Sequence, residues 1–238
     1  MKSRFIYATL VAVLLCTGAT YAQDNIIKIN LAALVFTNFS LQDEYSLNSN
    51  SSVALGVSFL PSRGLPSAFT KKDKTGNISD IKFGGFSITP EYRYYVSGNG
   101  PHGFYVAGYF RYAKYTMDNF VYNYTDKNNI TSHYSLSGDW TVAAAGIMIG
   151  SQWKLGEHLV FDWWILGGAF GKNDGTLSGT GALSSQNETD ISNSLATMKV
   201  PVGTIKSTVT ANSVSATYDP GIPALRGFGL CLGYNFGN

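Results

Sequence analysis

Three histidines, His102, His133 and His158, could act as a base toward a nucleophile, and only His133 has hydroxyls close in sequence, at Ser132 and Ser135. A hydroxyl beside an imidazole is the minimum set for acyl transfer or lipid hydrolysis. Neither Gly-x-Ser-x-Gly nor His-Glu-x-x-His occurs, and His102 and His158 fall in predicted turns. No enzymatic activity and no cofactor are expected, and a lipid-acting enzyme stands behind the other readings. Cys16 and Cys231 are the two cysteines, too few for a thiolate metal site, so no metal is expected either.

A second set of residues carries charge rather than nucleophiles. Glu91 and Arg93 stand two apart, the spacing that places side chains on one face of a strand. Lys28, Glu44, Arg111 and Asp162 share that parity in segments of their own. Gathered in a narrow interior they would form a buried ion-pair network, or a site that passes protons or ions; a space just wide enough for side chains favours the structural network.

The elements that would position these residues show a period of two. Alternating segments occupy residues 25–36, 39–47, 52–60, 86–96, 103–115, 141–153, 159–166 and 226–236. In the fourth, Phe86, Ile88, Tyr92, Tyr94 and Val96 face one way and Ser87, Thr89, Glu91, Arg93 and Tyr95 the other. The connections at 48–51, 97–102 and 156–157 are short; those at 61–83, 116–139 and 171–221 are long and polar, the last with a weak hairpin pattern at 209–218. Only the link at Thr37 and Asn38 breaks the alternation of short and long.

The fold expected is all-β, an eight-stranded antiparallel transmembrane up-and-down β-barrel with short periplasmic turns, long extracellular loops and both termini periplasmic. Two positions resist it. Pro90 cannot donate to a ladder, and Asp43 stands on the lipid-facing parity, so a bulge or register change is expected at each. Tyr45, Tyr94, Phe104, Trp153, Phe161 and Tyr234 fall on the apolar face at the short-turn ends, where a periplasmic aromatic girdle belongs.

The N-terminus points to export. Lys2 and Arg4 precede an apolar run from Phe5 to Leu15, and Thr20-Tyr21-Ala22 forms a small-residue cleavage site, giving a signal peptide at 1–22 and a barrel at 23–238. Of 17 basic residues, losing Lys2 and Arg4 leaves 15 against 15 acidic ones, so nothing would attract nucleic acid. Charged residues make up 13% and aromatics 14%, yet past the leader no apolar run is long enough for a membrane helix. A soluble, lipocalin-like barrel would need a charged outer face, whereas here the face opposite the apolar one carries mostly Gly, Ala, Ser and Asn.

The stretches Thr-Pro-Glu-Tyr-Arg-Tyr-Tyr at 89–95, Gly-Phe-Tyr-Val-Ala-Gly-Tyr-Phe-Arg-Tyr at 103–112, Gly-Ile-Met-Ile-Gly-Ser-Gln-Trp-Lys-Leu at 146–155 and Leu-Gly-Tyr-Asn-Phe at 232–236 carry a resemblance. In its strands, though not its long loops, the chain resembles the small Gram-negative outer-membrane barrels of the OmpA/OmpX-like group and their functionally uncharacterised relatives. The resemblance implies outer-membrane lipid and the barrel-assembly machinery as partners, with Phe236 as the terminal aromatic that machinery reads, although Gly237 and Asn238 follow it. It implies no reaction. The long loops, with Phe120, Tyr122, Tyr124 and Tyr134 in the second, suit binding to extracellular carbohydrate or protein. The expected role is structural or surface-interacting, with a narrow pore or small-ligand site as the alternative.

Overall fold

The computed structural model describes residues 24–64, 76–77, 82–125, 131–180, 188–189, 192, 204–210, 213–219, 221–226 and 228–237; the expected leader at 1–22 lies outside them. Eight strands build the wall: β1 Asn25–Asn30, β2 Phe39–Ser46, β3 Ser51–Gly64, β4 Lys82–Tyr95, β5 Gly103–Thr125, β6 Thr131–Leu155, β7 Leu159–Thr180 and β8 Gly229–Asn235. Each pairs antiparallel with the next, and β8 pairs with β1, Tyr234 opposite Ile27, closing an up-and-down barrel. Closure satisfies the backbone groups that an open sheet would leave at its edges.

The period of two decides which side chains point where. Ile27, Leu55, Val57, Ile88, Val106, Phe110, Ile147 and Ile149 are exposed on the outer wall. Ser52, Ala54, Thr89, Glu91, Ala107 and Met148, their neighbours of opposite parity, are buried inside. Apolar outside and polar inside is the reverse of a water-soluble barrel, and it removes the lipocalin-like alternative. The short turns are locally encoded: Asn48 Oδ1 accepts the Asn50 and Ser51 N–H groups, both at 2.9 Å, and Gly156 takes a φ of +83° between β6 and β7.

Several expectations are corrected. The first segment does not run as a strand from 25 to 36, because Asn30 stops it: its side chain accepts the Ala33 N–H at 3.0 Å and caps a short helix, α1, Leu31–Val35. No bulge forms at Pro90. Pairing of β4 with β5 skips Thr89 and Pro90 but resumes in unchanged register, so the missing N–H is absorbed as a local gap. Asp43 likewise stays in register opposite both Ile27 and Leu55, a carboxylate exposed on an apolar wall. The bulge instead falls in β7, where Ile149 and Gly150 pair with Leu166 and Trp164 and leave Ile165 over. Parity flips there, which turns Leu166 outward rather than inward.

Much of what reads as long loops is sheet. β5 and β6 pair as far as Thr125 with Thr131, shifting register between Met117 and Phe120. β7 pairs in one constant register with Gly229–Asn235, Gly221–Arg226 and Ser213–Asp219, and the last of these forms a hairpin with Thr204–Thr210. β5, β6 and β7 have 23, 25 and 22 residues, about twice the 9–11 that cross a bilayer. The barrel therefore carries a tall sheet on its loop side.

Two aromatic rings bracket the apolar band. The six residues expected as the girdle lie on the outer wall near the short turns, with Trp153 stacked on Phe161 at 5.7 Å. Sequence reading missed a second ring. Phe39, Phe59 and Phe86 are consecutive cross-strand partners, Phe86 meets Tyr112 at 6.2 Å, and Phe170 is exposed on β7. Tyr94 to Phe86 and Phe104 to Tyr112 are both eight positions, and Phe161 to Phe170 is nine with Ile165 bulged out. With ~3.3 Å per residue and strands tilted by about 40°, three strands thus independently place the rings ~20 Å apart.

Candidate functional site

The inner ends of the strands meet in a charged plug. β1 supplies Lys28, β2 Gln42 and Glu44, β4 Glu91, Arg93 and Tyr95, β5 Tyr105, β6 Gln152, and β7 Asp162 and Trp164. Alternation fixes the level of the plug: Glu44, Arg93, Tyr105, Gln152 and Asp162 are the immediate chain neighbours of Tyr45, Tyr94, Phe104, Trp153 and Phe161. Each of these five strands sends an aromatic outward and a polar group inward at the same height.

Arg93 is the hub. Its Nε and Nη2 donate to Glu91 Oε2 at 3.0 and 2.8 Å, Nη2 donates to Gln42 Oε1 at 2.8 Å, and Nη1 donates to Asp162 Oδ2 at 2.7 Å and Glu44 Oε2 at 3.2 Å. The guanidinium also lies 4.6 Å from the centroid of the Tyr105 ring. Lys28 Nζ donates to Glu44 and Gln152, and to Asp162 Oδ2 at 2.8 Å. Tyr95 and Ser52 donate to Glu44 Oε1, the former at 2.6 Å; Tyr105 donates to Asp162 Oδ1 at 2.8 Å and Trp164 Nε1 to its Oδ2 at 3.2 Å.

The ion-paired side chains have no solvent-accessible surface at all. Burial of charge is costly unless it is paired and hydrogen-bonded, and here three carboxylates surround two cations and accept further hydrogen bonds from hydroxyls and an indole, while Gln42 Nε2 is buried with no hydrogen-bond partner among the described residues. Gln152 Nε2 donates to the Pro101 carbonyl at 2.5 Å, which ties the 97–102 turn beneath the plug.

Five of the six charged residues singled out in the sequence meet in this network. Arg111 does not: it lies six positions up β5 from Tyr105, where Nη2 donates to Ser87 Oγ and the Tyr115 hydroxyl, both at 3.1 Å. Gln42, Ser52, Tyr95, Tyr105, Gln152 and Trp164 were not singled out because they carry no charge, although their inward parity was legible. His102 and His158 sit at the turn end, His158 stacked on Tyr234 at 5.3 Å, and the His133 side chain lies outside the described residues. Phe236 is exposed and packs edge-on against Tyr234 at 4.9 Å, and its N–H donates to the Asn25 carbonyl at 2.8 Å.

Closed wall, apolar exterior and filled interior define a small eight-stranded β-barrel protein. A family model matches residues 8–194, and the chain belongs to that family, described as a protein of unknown function, DUF3575. No curated protein matches it. Among solved structures, the β domain of the Bordetella autotransporter BrkA aligns over 91% of this chain and 98% of that one, at 10% identity and a TM-score of 0.27, too low to bear on fold or function.

Proposed function

We propose that the protein is an integral outer-membrane barrel with a sealed, non-conducting lumen and no catalytic activity, serving a structural or surface-interaction role. The observation that carries this reading is the plug, whose ion pairs are fully buried at the level of one aromatic ring. A hydrated path would leave at least some of those atoms accessible. The ring near the short turns is then the periplasmic girdle, both termini are periplasmic, Phe236 is the residue read by the assembly machinery, and outer-membrane lipid covers the wall. The tall sheet of β5, β6 and β7 rises beyond the second ring and offers a rigid surface to extracellular carbohydrate or protein.

Planar-bilayer recording tests the seal. The purified barrel is expected to show no steady single-channel conductance; regular channel steps from the unaltered protein would contradict the proposal and favour the narrow-pore alternative. Asp43 provides a test of the lipid contact. Two positions inside Tyr45 and flanked by Ile27 and Leu55, its carboxylate would face hydrocarbon ~5 Å from the ring. Asp43→Leu is expected to stabilise the lipid-embedded barrel by about 1 kcal/mol, read from urea unfolding in phospholipid vesicles. A variant less stable than the parent would argue that this wall meets something other than lipid.

A further inference from the structure

We infer that Lys114 and Lys172 form a seat for the phosphate of an anionic lipid headgroup in the outer leaflet, an inference that rests on the membrane reading above. Both side chains are exposed on the outer wall. Lys114 stands ten positions above Phe104 on β5, and Lys172 stands eleven above Phe161 on β7, where Ile165 is bulged out. Both ammonium groups therefore leave the wall ~25 Å above the lower ring and ~5 Å above the upper one, at the height where hydrocarbon gives way to headgroups.

They also lie close together. Thr141 on β6 is the direct partner of Lys114 and Ala143 the direct partner of Lys172, and these two β6 residues share one face. The lysines consequently flank a single strand, offset by two residues and about 12 Å apart at the backbone, within reach of one phosphate for side chains of this length. Thr141 places a hydroxyl between them. Among the described residues neither lysine forms an ion pair, although both Asp174 and Lys114 are partners of Thr141. Asp174 lies two positions farther from the bilayer than Lys172, so it restricts the anion to the membrane side of the pair.

Between the rings the outward faces of β5, β6 and β7 carry Val106, Phe110, Ala145, Ile147, Ile149, Leu166 and no charge. The first charges met on leaving the apolar band along these strands are thus two cations. Such a pair both fixes the depth of the barrel and selects for phosphate, because each lysine near a membrane surface contributes independently to the attraction of anionic lipid.

The test uses the mature full-length barrel in phosphatidylcholine nanodiscs containing a minor fraction of phosphatidic acid, with lipid retained on gentle release read by native mass spectrometry. Unaltered protein is expected to keep phosphatidic acid preferentially, K114Q and K172Q singly to lose roughly five-fold of that preference, and the double variant nearly all of it. K114R/K172R should retain it, and heat-dependent gel mobility checks folding in every case. Equal retention by the parent and the double glutamine variant would overturn the inference, and so would capture of inorganic phosphate in place of the lipid. Failure of the parent to enter nanodiscs at all would sink the membrane reading itself, a result separable from insertion without lipid preference.

Discussion

Arg93→Ala is expected to cost the folded barrel about 3–5 kcal/mol, enough to remove most of the heat-modifiable folded species from a gel. The magnitude follows from what remains behind. Arg93 donates to Glu44, Glu91, Asp162 and Gln42, so truncation leaves Lys28 as the remaining cation among three buried carboxylates. Unpaired buried charge is far costlier than the net worth of the ion pairs. The same reasoning predicts a contrast: replacing Lys28, Glu44, Glu91, Arg93 and Asp162 together by apolar residues of similar volume should leave a barrel close to the parent in stability only when their hydrogen-bond partners Gln42, Ser52, Tyr95, Tyr105, Gln152 and Trp164 are made apolar as well, so that no buried donor or acceptor is orphaned. Urea unfolding in vesicles measures both. An alanine variant as stable as the parent would show that the charges do not depend on Arg93.

Gly150→Val has the next largest expected effect, a loss of about 3 kcal/mol. A Cβ on Gly150 would meet the Tyr105 ring and come within 2.7 Å of the Trp163 carbonyl oxygen. The carbonyl belongs to the neighbouring strand and cannot retreat without breaking the ladder beside the Ile165 bulge. Tyr105 can move only by giving up its hydrogen bond to Asp162 and its place beneath Arg93. Gly108 faces open space, so Gly108→Val serves as the control, within about 0.5 kcal/mol of the parent. Equal effects at the two positions would refute the packing argument.

The turn-side half of the barrel was legible in the sequence because an apolar outer wall on one side and a polar bore on the other impose a strict alternation there. Phe104 to Tyr112 and Tyr94 to Phe86 repeat that pattern without interruption, and the inward parity of Lys28, Glu44, Glu91, Arg93 and Asp162 followed from it. Where the contrast between the two faces fades, so did the reading. Thr116 to Asp139 looks like loop because its sequence has no apolar period of two, yet β5 and β6 continue into it, paired as far as Thr125 with Thr131.

Runs that are apolar at every position hide the other errors. Leu31-Ala32-Ala33-Leu34-Val35 fits a strand or a helix equally well, and the Asn30 side chain decides for the helix by capping it. Trp163-Trp164-Ile165-Leu166 can lose one residue from the alternation without trace, which is why the bulge there was not foreseen. At Pro90 and Asp43 the opposite happened: a suspicious residue suggested an irregularity, and the ladder on either side was strong enough to hold register.

The most direct check uses nitroxide spin labels placed one at a time at positions 143, 144, 145, 147, 148 and 149 of β6, on a Cys231→Ala background in phospholipid vesicles; Gly146 is left out because a Cβ there would clash with the Gly168 carbonyl oxygen. Collision with oxygen, which concentrates in hydrocarbon, should peak at positions 143, 145, 147 and 149. Labels at 144 and 148 should be shielded from both oxygen and a water-soluble nickel relaxant. Oxygen maxima at the even positions, or nickel access along the whole strand, would contradict a barrel that turns its apolar face to lipid around a sealed interior.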